Sequence, residues 1–378
     1  MMPNIPAQAL FNACFDGDAA AVSRLLPAGG TSLDLSGPHF QHPDDKSTPL
    51  IAAALYGHTS IVRMILERAP NTTVDFVGAH GVTALLLAAR YHHVDIVRLL
   101  ADCGANLNYT GQRGSTPLHL AVGPLQPDVH PCHPEPHGAR QLATVRALLQ
   151  SGADTLTPPP SSGAPATRLN STLPPKDPCA LTHGLIRLND YVHTPSLAAR
   201  GPVDDAGETP LCIACGLGNA EVAVALLDAG ADIDFGTPLR HGHAGFTPLM
   251  FAAQTNHASI AELLLNRGAD GTKKATRTTR RDDAGSTALD ILRRRADGDP
   301  DSAETFAVLR MWCCSMCGIT SSGLSAMTPG GAQRLKRCAS CPARGPCAHY
   351  CGKECQRADW VAWHRGECAE VRRVRQAA

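Results

Sequence analysis

Eight side chains near the end of the chain fall into four close pairs: Cys314-x2-Cys317, Cys338-x2-Cys341, Cys351-x3-Cys355 and His364-x3-Cys368. Thiolates and imidazoles are the donors that Zn²⁺ prefers, and two or three intervening residues let a turn present both members of a pair to one ion at about 2.0–2.3 Å. Four pairs supply two tetrahedral sites. With all positions filled by protein, no coordination site is left for water, so the expected chemistry is structural and not hydrolytic. Nine of the 15 cysteines lie between Cys313 and Cys368; in a reducing compartment that clustering reads as metal ligation before disulfide bonding. Cys313 beside Cys314, and Cys347 after Cys341, remain competing donors.

The chain ahead of this cluster is built on a repeated phrase. Thr48-Pro49-Leu50-Ile51-Ala52-Ala53 is echoed at Thr83-Ala84-Leu85, Thr116-Pro117-Leu118, Thr209-Pro210-Leu211, Thr247-Pro248-Leu249 and Thr287-Ala288-Leu289, with first spacings of 35 and 33 residues. Thr can cap a helix through its hydroxyl, and Pro at the first helical position gives up an N–H that has no partner there. Each phrase leads to a second apolar helix pattern such as Ile61–Leu66, Ile96–Leu100 or Val224–Leu227. Gly104, Gly152, Gly230 and Gly268 then stand where a left-handed turn would stop that helix. Alanine pairs such as Ala52-Ala53, Ala88-Ala89 and Ala252-Ala253 keep the first helix slim, so neighbouring pairs can stack closely.

This pattern resembles the ankyrin repeat, over most of residues 7–312 in about seven copies. The resemblance implies an all-α solenoid over residues 1–312. The first copy lacks Thr-Pro but aligns Leu10, Ala13 and Gly17 with Leu50, Ala53 and Gly57; the last, around Ser286–Trp312, also departs from the pattern. Loop insertions are expected at about 123–141, 158–206 and 271–284. Within the second, Ala180–Val192 fits either a short helix or a decayed eighth repeat. The third carries a basic stretch from Lys273-Lys274 to Arg280-Arg281, which reads as a solvated loop.

The phrase from Tyr350-Cys351 through Asp359-Trp360 to His364 and Cys368 looks like the C-terminal half of a MYND finger, and Leu335–Cys341 resembles its second cysteine pair. That resemblance implies a small two-zinc finger over 313–370, with 371–378 as a tail. It also implies interleaved ligation, Cys314, Cys317, Cys351 and Cys355 on one ion and Cys338, Cys341, His364 and Cys368 on the other. The separations between Cys317 and Cys338 and between Cys341 and Cys351, 20 and nine residues, exceed the family's usual lengths. Fingers of this family take short proline-containing peptides, at positions that map onto Gln356 and Trp360.

Lys+Arg and Asp+Glu both total 34, so the balance of charge selects no polyanionic partner. No apolar run approaches the roughly 20 residues of a membrane span, and residues 1–6 carry no secretory pattern; an intracellular protein, cytoplasmic or nuclear, is expected. Cys212-x2-Cys215 falls at small packing positions of a first helix and reads as buried thiols, not a redox pair. Tyr56 and Tyr91 share one repeat position and read as edge packing. The sum is a non-enzymatic adaptor: the array holds one protein and the zinc finger another. Rivals are a RING-like ubiquitin ligase, against which the Asp359-Trp360 and His364-x3-Cys368 ending speaks, and a zinc-finger transcriptional regulator, for which no basic recognition helix is visible.

Overall fold

Six threonines start six helices in the same way. In the computed structural model the hydroxyls of Thr48, Thr83, Thr116, Thr209, Thr247 and Thr287 accept the backbone N–H three residues on, at 3.3–3.4 Å. All six are buried, so each hydroxyl satisfies a donor that water cannot reach. The structure describes residues 6–26, 34–37, 40–41, 46–69, 72–78, 81–111, 115–123, 137–155, 208–237, 243–278, 285–295, 302–312, 336–337 and 349–350.

Two compact units divide the chain, residues 1–206 and 207–378. The first holds α1 (Ala7–Asp16), α2 (Ala19–Leu25), α3 (Pro49–Leu55), α4 (Thr59–Arg68), α5 (Ala84–Arg90), α6 (Val94–Asp102), α7 (Pro117–Val122) and α8 (His137–Gln150). Successive helices pair as antiparallel hairpins. First helices stack in the order α1, α3, α5, α7, and second helices in the order α2, α4, α6, α8. The second unit repeats the scheme with α9 (Pro210–Leu217) and α10 (Ala220–Asp228), α11 (Pro248–Gln254) and α12 (Ala258–Asn266), and α13 (Ala288–Arg295) and α14 (Ser302–Trp312).

The core follows from the phrase. Leu10, Leu50, Leu85, Leu118, Leu211, Leu249 and Leu289 occupy one position in successive first helices, and each is at most 2% exposed. Burying a leucine is worth about 1.5–3 kcal/mol, so each of these positions contributes to the cohesion of its own unit. The alanine pairs beside it are equally buried, and their small size is what lets the first helices stack so closely.

Asx side chains tie one turn to the next. Asp75 accepts the N–H of Asn106 at 2.9 Å, Asn108 that of Asp154 at 2.9 Å, and Asp234 that of Asp270 at 2.9 Å. The stop glycines behave as their positions require: Gly104, Gly152, Gly230 and Gly268 all have φ between 83° and 95°.

Three local features differ from the sequence reading. The insertion in the fourth helix pair ends earlier, because α8 begins at His137, and Gln141 within it donates to the carbonyl of Val122 at 2.6 Å, tying α8 to the end of α7. The last pair starts with a complete cap despite lacking proline: Thr287 caps Asp290 N–H while the Asp290 carboxylate accepts the N–H and hydroxyl of Thr287. Two antiparallel ladders of two residues accompany the helices, β1 (His243–Ala244) with β2 (Arg277–Thr278), and β3 (Lys336–Arg337) with β4 (His349–Tyr350).

Candidate functional site

Zinc ligation is the chemistry that the sequence offers most clearly, and the described part of its tail is the β3–β4 ladder. Lys336 pairs with Tyr350 and Arg337 with His349. Each strand runs directly into an assigned ligand, Cys338 after Arg337 and Cys351 after Tyr350. Helix α14 ends at Trp312, two residues before Cys314, and touches β4. Cys314, Cys317, Cys338, Cys341, Cys351, Cys355, His364 and Cys368, with Gln356 and Trp360, lie outside the described residues. The donor set itself, seven thiols and one imidazole, fits Zn²⁺, and a strand pair that brings the approaches to Cys338 and Cys351 together is compatible with a finger closed on metal. Bound zinc would supply a cross-link in place of the apolar core that so short a segment cannot build.

In the helical units the reactive-looking residues are structural. Cys212 and Cys215 are fully buried. Burial pushes the Cys212 thiol up to about 12, opposed in part by the Thr209 hydroxyl, which donates to its sulfur at 3.3 Å. Cys215 is likewise raised by burial. Burial thus disfavours the thiolate of both. Tyr91 is buried, and Tyr56 packs edge-on to Phe15 with ring centroids 4.4 Å apart.

One device escaped the sequence reading. His58 Nε2 donates to the carbonyl of Phe15 at 3.1 Å, and His93 Nε2 to that of Leu55 at 3.0 Å, each reaching back to the preceding first helix. A carbonyl only accepts, so Nε2 carries the proton. The rings lie against left-handed glycines: a Cβ on Gly17 would be 2.5 Å from His58, and one on Gly57 would be 2.6 Å from His93. Gly218 and His257 repeat the contact at 2.5 Å in the second unit. The signal was present, since His58, His93 and His257 stand at one offset from their capping threonines.

A family model of ankyrin repeats matches three times, over residues 10–111, 70–129 and 185–275, which together cover more than half of the chain. The chain belongs to the ankyrin-repeat family. The third match begins inside the stretch 158–206 and takes in part of Ala180–Val192. A MYND finger model matches residues 314–368, bounded by the outermost ligands assigned from sequence. Ankyrin repeats and MYND fingers are protein-interaction domains, and the finger implies zinc binding.

Among curated proteins, human ankyrin repeat and SOCS box protein 10 is 38% identical over 141 residues, 32% of this chain and 30% of that protein. The chain thus spans under a third of that relative's length. Among solved structures, the human ASB11 ankyrin repeat domain aligns with a TM-score of 0.50 at 20% identity, covering 79% of this chain and 96% of that one. That likeness concerns the fold. No described helix of the ankyrin units is long and apolar enough to cross a membrane.

Proposed function

We propose that this protein is a non-enzymatic adaptor in which an array of about seven ankyrin repeats engages one protein and a two-zinc MYND finger captures a short proline-containing peptide of another. The observation that carries the reading is the MYND match over 314–368 on a chain whose preceding helix pairs are ankyrin repeats. Two interaction modules on one polypeptide raise the effective concentration of one partner near the other, which is a function without bond-making.

In the finger, Cys314, Cys317, Cys351 and Cys355 hold one ion and Cys338, Cys341, His364 and Cys368 the other. Gln356 and Trp360 contact the peptide, with the indole as its apolar anchor. The test is capture of a proline-containing peptide by the full chain, native and Trp360→Ala, with zinc content measured on both. Loss of capture with zinc retained is expected. Loss of zinc together with capture would make Trp360 a core residue, and unchanged capture would remove it from the contact.

A further inference from the structure

Thr276 stands directly ahead of β2, where two hairpins of the second unit are joined through their backbones. Its N–H donates to Ala244 O at 2.9 Å, beside the pairing of Ala244 with Arg277. The residue is exposed. Its hydroxyl lies against Gly245, at φ +77°: a Cβ there would fall 2.8 Å from Thr276 Oγ1 and 2.7 Å from Thr276 N. The absence of a side chain at Gly245 therefore leaves this hydroxyl uncovered on that side.

Lys273 and Lys274 precede Thr276 by three and two positions, and both are exposed. The other exposed serines and threonines among the described residues are Ser23, Ser60, Thr73, Ser151 and Ser259; none has a Lys or Arg at either of those places. The neighbourhood offers no surplus of positive charge, because Asp232, Asp234 and Asp270 stand at the base of the same hairpins and Lys273 acts electrostatically on Asp234. The arrangement is distinctive in another way. Two separate cations stand at fixed distances on the N-terminal side of an accessible hydroxyl, which is the kind of charge pattern that a protein kinase reads one side chain at a time.

We propose that Thr276 is a phosphorylation site for a basophilic serine/threonine protein kinase, with Lys273 and Lys274 as the residues the kinase recognises. ATP is the donor. Thr276 Oγ1 forms a bond to the γ-phosphorus, the bond from that phosphorus to the β–γ bridging oxygen breaks, ADP leaves, and the hydroxyl proton passes to the kinase's catalytic base. Engagement opens the bonds of Ala275 N–H to Ser286 O and of Gly285 N–H to Ala275 O, with that of Thr276 to Ala244. A two-residue ladder opens more readily than helices packed on a buried leucine column. The product carries roughly −1.5 to −2 charge at a joint between two repeats. This inference stands apart from the adaptor reading, since it needs neither zinc nor a bound partner.

The test incubates the folded full chain with magnesium ATP and either a basophilic or an acidophilic protein kinase, and maps the phosphorylated residues by mass spectrometry over time. Phosphate on Thr276 is expected with the basophilic kinase. Its rate of appearance should fall at least about tenfold in a Lys273→Gln, Lys274→Gln variant, and the acidophilic kinase should leave Thr276 unmodified. Thr276→Val should remove this phosphate and no other. Helical circular dichroism checks that each variant is folded, and the native chain decides the matter if one is not. An unmodified Thr276 in the native chain, a lysine variant phosphorylated there within about twofold of the native rate, or faster modification by the acidophilic kinase would each overturn the proposal.

Discussion

The pairing of a histidine ring with a left-handed glycine of the preceding repeat makes single residues unusually informative. Gly57→Ala combines the roughly 1–2 kcal/mol cost of a side chain in the left-handed region with a collision against His93. Gly104→Ala meets the conformational cost alone, since nothing lies within 4 Å of its Cβ position. Denaturant unfolding should therefore show Gly57→Ala as the more destabilised, and equal losses would deny the histidine contact its role. Thiol labelling of the native protein at pH 8, mapped by mass spectrometry, should modify the exposed Cys103 and spare Cys212 and Cys215, whose burial raises them far above that pH. Asp234 gives a signed pH effect. Burial raises its pKa, opposed by the Asp270 N–H, so the ionised form disfavours the folded state, and the penalty is present above its raised folded value and absent below the ordinary 3.8. Asp234→Asn keeps an acceptor oxygen and should stabilise slightly at pH 7, by less than about 1 kcal/mol for this half-buried group. The gain should vanish in acid. Capping threonines and stop glycines were legible in the sequence because each acts on its own helix. The histidines were harder to read because their partners lie a whole repeat away.

At the scale of elements, each helix start is written in a few residues and each helix pair depends on its neighbours for burial. Thr83→Ala removes a buried acceptor from Leu86 N–H and should cost about 1 kcal/mol, seen as faster amide exchange in α5 and α6. Leu85→Ala opens a cavity in a column that is 1% exposed there and should cost about 2–5 kcal/mol. If Thr83→Ala left exchange unchanged, the cap would be decorative. The order of helices in each stack follows from the repeat period, which is why the architecture could be read in advance. The start of α8 at His137 could not be, because Gln141 is anchored by the end of α7, a contact across an insertion that sequence periodicity does not see. The β1–β2 bridge escaped for a similar reason: it joins loops of different repeats through backbone groups, and backbone pairing across loops leaves little mark in side-chain pattern.

At the scale of the whole molecule, helical units that hold themselves together by burial precede a MYND finger for which we propose metal as the main source of stability. Structural zinc contributes roughly 10–16 kcal/mol of apparent stability to such modules, whereas the helices described here draw on leucine columns and caps. A zinc-binding finger was legible from donor type and spacing, and the MYND match supports that much; the choice of eight ligands and their interleaved pairing belong to the proposal. Elemental analysis of the purified full chain tests that claim most directly. Two zinc atoms per molecule are expected, falling towards one on Cys355→Ser without loss of helical circular dichroism. A native chain that carries no zinc, or less than one atom per molecule, would contradict the finger and with it the adaptor.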